Sequence, residues 1–413
     1  MTTIVIGAGV IGLLTALELH RDGHDVLVVE RREGAGLETS FGNAGGLCPG
    51  FAGPWAAPGM PVKALKWMFA QSAPLKIRPK LDPAQWRWLA AFTQACTKDA
   101  FARNKRAMQA IAHYSAARLD KVRADTALVF DHATGGVLQT FETSEELAAG
   151  RVSASVLAEA GIAHRLVAPD DIPSIEPGLA DARVSFSGAL HLPNDQTGDA
   201  HLFCEALQAH LAGNGVRFRF RTDVAAIAVE GGVVAGVTVG NEVLSASRVV
   251  VAAGPFAPRI LSPLGVKLPL YPVKGYSLTF ALAAGAGPRS SVMDEHSKLM
   301  LTRLGQRLRV AGVAELSGFD ATLRKPSLDA LRRRTADLFP SAVSDAAGEP
   351  WCGFRPMTPD GRPRIGPTHV AGLFVTAGHG SNGWTQAAGA GRLIADIIAG
   401  RKPEIDPAPY ALN

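Results

Sequence analysis

Six residues near the start, Gly7-Ala8-Gly9-Val10-Ile11-Gly12, restrict what this chain can become more than any other stretch. They follow a β-branched run, Thr3-Ile4-Val5-Ile6, that suits a buried parallel strand. They precede a helix-compatible stretch from Leu13 to Arg21, which Gly23 ends, and Asp25 to Glu30 then supplies a second strand. The glycines of such a unit permit a tight turn, approach of backbone to a pyrophosphate and close packing of helix on strand. The helix N-terminus in turn favours the diphosphate charge. Glu30 ends the second strand 18 positions after Gly12, where its carboxylate can accept hydrogen bonds from an adenosine ribose. Alone, the motif could be an ordinary turn in a chain with 44 glycines; between this strand and this helix it predicts dinucleotide binding, to NAD or FAD.

The remaining composition narrows the class. With 413 residues, 47% hydrophobic and 19% charged, the chain can bury a large core in two or three domains, which excludes a disordered, fibrous or small disulfide-stapled protein. The formal charge of +5 is spread along the chain, and Arg31-Arg32 and Arg332-Arg333-Arg334 are diluted by nearby acids. No basic face or reading motif for nucleic acid is visible. Cys48, Cys96, Cys204 and Cys352 are isolated, so neither a zinc site nor a disulfide framework is expected, and a reducing, cytoplasmic setting is. The apolar stretch Ile4 to Leu19 is too short and too broken by glycine to span a membrane.

Further along, Asp199 can cap a helix over Ala200 to Ala212, followed by strands at Val216 to Phe220, Val233 to Val239 and Arg248 to Ala252. Leu373 to Ala377 reads as a buried strand leading through a glycine-rich turn into a helix from about Trp384 to Ala399. Between these blocks, residues 61–190 hold amphipathic helices (Pro83 to Thr97, Arg103 to Arg123). Residues 267–350 alternate like strands (Tyr276 to Phe280, Leu299 to Arg303, Leu308 to Gly312). The expected fold is α/β: a Rossmann-like nucleotide-binding domain from residues 1–60, 191–266 and 351–413. It is interleaved with an α+β substrate-binding domain, containing a mainly antiparallel sheet, from residues 61–190 and 267–350.

Several long motifs then coincide. They are Glu38-Thr39-Ser40 with Asn43-Ala44-Gly45, Pro54-Trp55-Ala56-Ala57-Pro58-Gly59 and Lys66-Trp67-Met68-Phe69. Leu192-Pro193-Asn194-Asp195 with Thr197-Gly198-Asp199 and Tyr271-Pro272-Val273-Lys274-Gly275-Tyr276-Ser277 follow. The last are Gly353-Phe354-Arg355-Pro356-Met357-Thr358-Pro359-Asp360-Gly361, Gly378-His379-Gly380 and Gly383-Trp384-Thr385. In this order they resemble the FAD-dependent D-amino acid dehydrogenases, within the D-amino acid oxidase, glycine oxidase and sarcosine oxidase superfamily. The resemblance implies noncovalent FAD held by Gly7, Gly9, Val10, Ile11, Gly12, Glu30 and Arg31, by Ser40, Asn43, Ala44, Gly45, Gly46 and Leu47, by Val224, Ala253 and Gly254, and by Gly380, Gly383, Trp384 and Thr385. The cysteine that carries flavin covalently in some sarcosine oxidases aligns with Gly353, not with Cys352. Arg355 is the expected clamp for an α-carboxylate, because a guanidinium offers a planar pair of donors. Tyr276 and Tyr271 are expected as phenol donors to the same group, and His379 as a packing residue rather than a base.

The implied reaction is oxidative deamination of a D-amino acid to a 2-oxo acid and ammonia by hydride transfer from Cα to FAD, with electrons passed to a quinone-type acceptor. The alternative is an oxygen-using amine or imino-acid oxidase of the glycine, sarcosine or D-proline type. A flavin carrier without turnover would have no use for Arg355, and an NAD enzyme none for the C-terminal glycine block. Residues 54–69 mix apolar Trp55, Met60, Val62, Leu65, Trp67, Met68 and Phe69 with Lys63 and Lys66, a composition suited to peripheral contact with an anionic membrane face. The competing expectation is that these aromatics fold back as core or as a lid.

Overall fold

A computed structural model describes residues 2–67, 74–159, 161–342 and 348–412. Met68 and Phe69, expected in the apolar segment, lie outside the described residues. The opening unit forms as expected: strand Thr2–Ile6, helix Val10–Arg21 and strand Asp25–Val29. Gly23 adopts φ +83°, which lets the His24 amide turn back onto the Leu19 carbonyl and stop the helix. The two strands pair in parallel and sit inside a six-stranded sheet. Its order is Arg364–Pro367, Leu373–Ala377, Arg248–Val251, Thr2–Ile6, Asp25–Val29 and Arg217–Arg219, parallel except for the Arg364–Pro367 edge. Such strands are buried on both faces, hence their nearly unbroken Val and Ile content.

One face is covered by helices Val10–Arg21, Ala200–Gly213 and Gly383–Ile398, which pack Leu13, Leu17, Phe203, Leu207, Leu393 and Ile394 into one core. Asp199 caps the second of these through the His201 and Leu202 amides. The other face carries a three-stranded meander, Ala226–Glu230, Val233–Val239 and Glu242–Ser245. Gly391 lies against the Leu14 carbonyl, where a Cβ would come within 2.7 Å, so the first and last helices touch almost backbone to backbone. Arg392 seals that contact by donating to Glu18 at 2.8 Å and Asp22 at 2.7 Å.

A nine-stranded, mainly antiparallel sheet forms the second layer system. Near one edge Tyr271–Ala281 lies between the outermost strand, Glu349–Met357, and Arg307–Leu316. Helix Lys325–Leu338 fills one face with Leu328, Leu331 and Leu338. The sheets divide the chain differently from the expected boundaries in two places. Glu349–Met357 is a strand of the antiparallel sheet, so a division at 351 cuts through it. Helix Lys98–Thr126, expected with the substrate-binding part, packs Ile111, Leu119 and Val122 into the nucleotide-side core. Among the described residues no helix is long and apolar enough to cross a membrane, and no cluster of ligands could hold a metal ion.

Candidate functional site

Two cavities meet where the layers join; Thr39, Asn43 and Gly380 line both. The first, of about 290 Å³, runs over the carboxyl ends of the parallel strands. Its walls include Gly7, Gly9, Val10, Ile11, Glu30, Arg31, Ser40, Val224, Ala253, Gly254, Gly383 and Trp384. Gly7 and Gly12 are needed for packing: at Gly7 (φ +109°) a Cβ would stand 2.7 Å from the Ala252 carbonyl, and at Gly12 1.9 Å from the Gly7 carbonyl. Gly9 differs. Its backbone is extended and a Cβ would meet only Ser40 Oγ, at 3.5 Å, so its missing side chain leaves cavity rather than core. The Val10 amide is held by Ser40 Oγ at 3.2 Å, and the first helical turn carries no acid to compete with a diphosphate. Glu30 accepts from the amides of Ala8 (2.7 Å) and Arg32 (2.8 Å), which fix its carboxylate at the cavity wall. Arg31 lies over the Phe256 ring, 3.7 Å from its centre.

The second cavity, of about 520 Å³, lies between the Gly380–Thr385 turn and the antiparallel sheet. Asn43, Ala44, Gly46 and Thr385 line it. Thr385 Oγ1 accepts from the Cys48 amide at 3.2 Å and donates to the Gly46 carbonyl at 3.3 Å, which closes this wall. The helix that begins at Gly383 has no side-chain cap, so its first amides are available to negative charge beside the cavity. Three expected cofactor residues line neither cavity. Gly12 serves helix packing, Leu47 enters the core, and Gly45 (φ +85°) turns the loop while its carbonyl accepts from the Gly198 amide.

Arg355 is set by strand alternation. Trp351, Gly353 and Arg355 share the cavity face of Glu349–Met357, and Arg355 lies opposite Val273. Its guanidinium rests over Gly275, where a Cβ would stand 2.5 Å from Nη1, and 6.0 Å from the Trp55 ring. Its hydrogen bond to protein is a long one, 3.4 Å to the Lys274 carbonyl, and among the described residues no carboxylate pairs with it. Burial holds its pKa down to about 10. A charged fork without an anion, at the wall of a cavity, calls for an anionic ligand.

The tyrosines are placed differently from expectation. Tyr276 pairs with Cys352, three positions from Arg355, and its hydroxyl donates to Glu315 Oε2 at 2.9 Å on the far face. Glu315 is held there by Lys274 at 3.4 Å and Arg78 at 2.9 Å. Tyr271 shares the face of Arg355 but sits one pair further along, packed on Trp88 behind Phe92. Neither phenol is offered to a carboxylate on Arg355. Residues that the sequence reading missed include Thr39, whose hydroxyl ties the 38–43 loop to the Phe354 carbonyl at 2.7 Å. Another is buried Arg309, which donates to the Phe41 carbonyl at 2.8 Å. Trp351 was also missed; counting by twos back from Arg355 was the available signal.

Gly275→Ala should therefore act on the clamp alone. The added methyl meets the end of a flexible side chain, so the fold survives while the guanidinium shifts. We expect an unchanged melting temperature, with affinity for small carboxylate ligands lowered about tenfold; a thermal melt beside a ligand titration checks it.

Two buried groups near the site titrate in opposite senses. Burial, with Nε2 lacking any partner among the described residues, holds His379 down to about 3, so it stays neutral and is no base. The unfolded chain takes up a proton near pH 6.5 that the fold refuses, so this group costs stability as pH falls from 6.5 towards 3. Burial pushes Asp195 up to about 7 although the Cys48 thiol and the Gly50 amide support its charge. It costs stability as pH rises from about 4 to 7. Each slope reaches at most about 1.4 kcal/mol per pH unit. His379→Asn should leave melting temperatures that fall from pH 4 to 6.5, and Asp195→Asn melting temperatures that rise; parallel profiles for both would contradict this.

Residues 2–397 match the sequence profile of the family described as DAO, FAD dependent oxidoreductase. The chain is 47% identical over 407 residues to the D-amino acid dehydrogenase of Methylobacterium nodulans, covering 98% of this chain and 97% of that one. It is 47% identical to the D-amino acid dehydrogenase of Cereibacter sphaeroides (strain ATCC 17029), covering 100% and 95%. Among solved structures, glycine oxidase from Geobacillus kaustophilus superposes with a TM-score of 0.76 at 24% identity, covering 100% of this chain and 98% of the other. L-proline dehydrogenase from P. horikoshii gives 0.74 at 19% identity, covering 99% and 96%. These two likenesses establish the fold.

Proposed function

The chain belongs to the DAO family of FAD-dependent oxidoreductases, and on that premise we propose that it is a D-amino acid dehydrogenase, releasing a 2-oxo acid and ammonia. The observation that carries the substrate assignment is Arg355, a cavity-wall guanidinium without a carboxylate partner among the described residues. The residues present suit FAD: Gly9 leaves room at the diphosphate turn, Glu30 stands at the ribose end, and flat-ring space lies between Asn43–Gly46 and Gly380–Thr385. When bound, FAD supplies the two-electron acceptor for the hydride leaving Cα.

The protein's part is positioning. Arg355 takes the α-carboxylate in a bidentate grip while Trp55 shields that grip from water. Among the described residues lining this cavity there is no Asp, Glu or His to act as a base at Cα, and hydride transfer asks for none. The substrate reacts as the neutral amine, and reduction should quicken with pH until its ammonium group is lost.

For the electrons we propose a quinone-type acceptor, in keeping with the relatives' designation as dehydrogenases. The segment at the cavity mouth supports this. Trp55 and Met60 pack inward against the Trp88–Phe92 cluster, whereas Val62, Lys63 and Leu65 on helix Met60–Trp67 are exposed. That apolar and cationic strip fits peripheral contact of a cytoplasmic protein with an anionic membrane face. The test uses one D-amino acid and two acceptors. Reduction of a soluble quinone should exceed peroxide formation by at least about tenfold, a difference of about 1.4 kcal/mol in barrier. Comparable rates would make this an oxidase.

A further inference from the structure

We infer that the site selects D-amino acids with bulky, uncharged, apolar side chains over small or charged ones, and that Met300 and Trp351 set this choice. The inference rests on the D-amino acid reading above and deepens it. Strand register carries the argument. Met293 pairs with Met300, Met300 with Ala311, Ala311 with Ser277 and Ser277 with Trp351, so one row crosses five strands of the antiparallel sheet. Met293, Met300, Ala311 and Trp351 of this row line the same cavity as Arg355. Arg355 pairs with Val273, two same-face pairs from Trp351, but its guanidinium lies over Gly275 on the intervening pair, so a substrate gripped there by its carboxylate has this row as the floor beneath its side chain.

The row has one rigid and one adaptable end. The Trp351 indole covers Gly42 and Gly353 so closely that a Cβ at either would stand 1.9 or 2.1 Å from the ring, which fixes it as a flat wall. Met300 reaches Gly46, where its methyl would meet a Cβ at 2.5 Å; its unbranched thioether can move aside for side chains of different shape. Phe51, Leu75 and Phe92 complete an apolar enclosure. Charged side chains find no partner in it. Among the described residues no carboxylate lines the cavity, and its second cation, Lys298, is already ion-paired with Glu295. A cationic side chain would be desolvated without a counter-ion, and an acidic one would compete with Glu295.

The test compares kcat/KM of the flavin-loaded enzyme for D-methionine and D-phenylalanine with D-alanine, D-aspartate and D-arginine. We expect at least about tenfold preference over D-alanine and at least about a hundredfold over the charged pair. Met300→Ala should narrow the D-methionine to D-alanine ratio by about tenfold, and Met300→Asp should shift the ratio of D-arginine to D-methionine upward. A turnover-independent readout is tryptophan fluorescence titrated with unreactive carboxylates, in which 3-phenylpropionate should bind at least about tenfold more tightly than propionate. If D-alanine or a charged D-amino acid is used as well as D-methionine, the side-chain selection falls while the D-amino acid reading stands. If no D-amino acid reduces the flavin, that reading falls, and this inference with it.

Discussion

Arg355→Met is expected to give a yellow, folded protein that barely turns over D-amino acids. The substitution keeps an unbranched apolar stem but loses the guanidinium that rests over Gly275 and faces the Trp55 ring. It removes both donors of the fork. Each hydrogen bond to a carboxylate contributes about 1.5–3 kcal/mol, so the pair amounts to about 3 kcal/mol or more, roughly a hundredfold or greater loss in kcat/KM. Folding should not suffer, because among the described residues Arg355 has no carboxylate partner to strand and its 3.4 Å bond to the Lys274 carbonyl is weak. Removing a desolvated guanidinium should if anything raise the melting temperature slightly. Stopped-flow flavin reduction beside a thermal melt separates the two effects. Unchanged kcat/KM would remove Arg355 from the site.

Gly9→Val should produce the opposite phenotype, a stable protein without flavin. The backbone at Gly9 has φ −74° and ψ 175°, an extended conformation that valine prefers, and the space a side chain would enter is cavity. The branched methyls then occupy the approach of the diphosphate to the helix N-terminus. We expect soluble protein with near-native circular dichroism and under about a tenth of the wild-type flavin absorbance; from a wild type about nine-tenths saturated, that is roughly an eightyfold or greater loss of affinity, about 2.6 kcal/mol or more. Full occupancy would displace the cofactor from this turn. Gly12→Val is the contrasting control, because a Cβ there stands 1.9 Å from the Gly7 carbonyl and should prevent folding.

The nucleotide half was legible because its constraints are local. A β-branched run, three spaced glycines, a cap at Asp199 and a turn at Gly23 each act within a few residues, and the corresponding elements lie where the sequence placed them, within a few residues at their ends. The substrate half depends on register, which no short stretch encodes. Whether a tyrosine in Tyr271–Ala281 meets Arg355 is decided by its pairing partner in Glu349–Met357, and an odd offset sends Tyr276 to Glu315. Register also shifts between Gly275 and Tyr276 opposite the 307–316 strand, where Val313 is the unmatched residue at φ +48°. A β-branched residue rarely adopts that conformation, so no propensity could have placed the bulge there. The division of the chain was obscured in a similar way: helix Lys98–Thr126 follows the substrate-side segment in sequence yet packs with the first and last helices.

That first helix and last helix, locked through Gly391 and Arg392, bear on how the protein comes to exist. Ribosomal synthesis delivers Thr2–Ile6 and Asp25–Val29 long before Gly383–Ile398, so the nucleotide-side core closes only once that later helix has emerged. Until then Glu18 lacks Arg392, the helix carrying the diphosphate turn lacks its neighbour, and the Gly380–Thr385 wall does not exist. A chain released early therefore has no complete flavin cradle. Cofactor capture becomes a report that synthesis has passed Ile398, and products cut short before Gly380 should emerge colourless and sensitive to proteases.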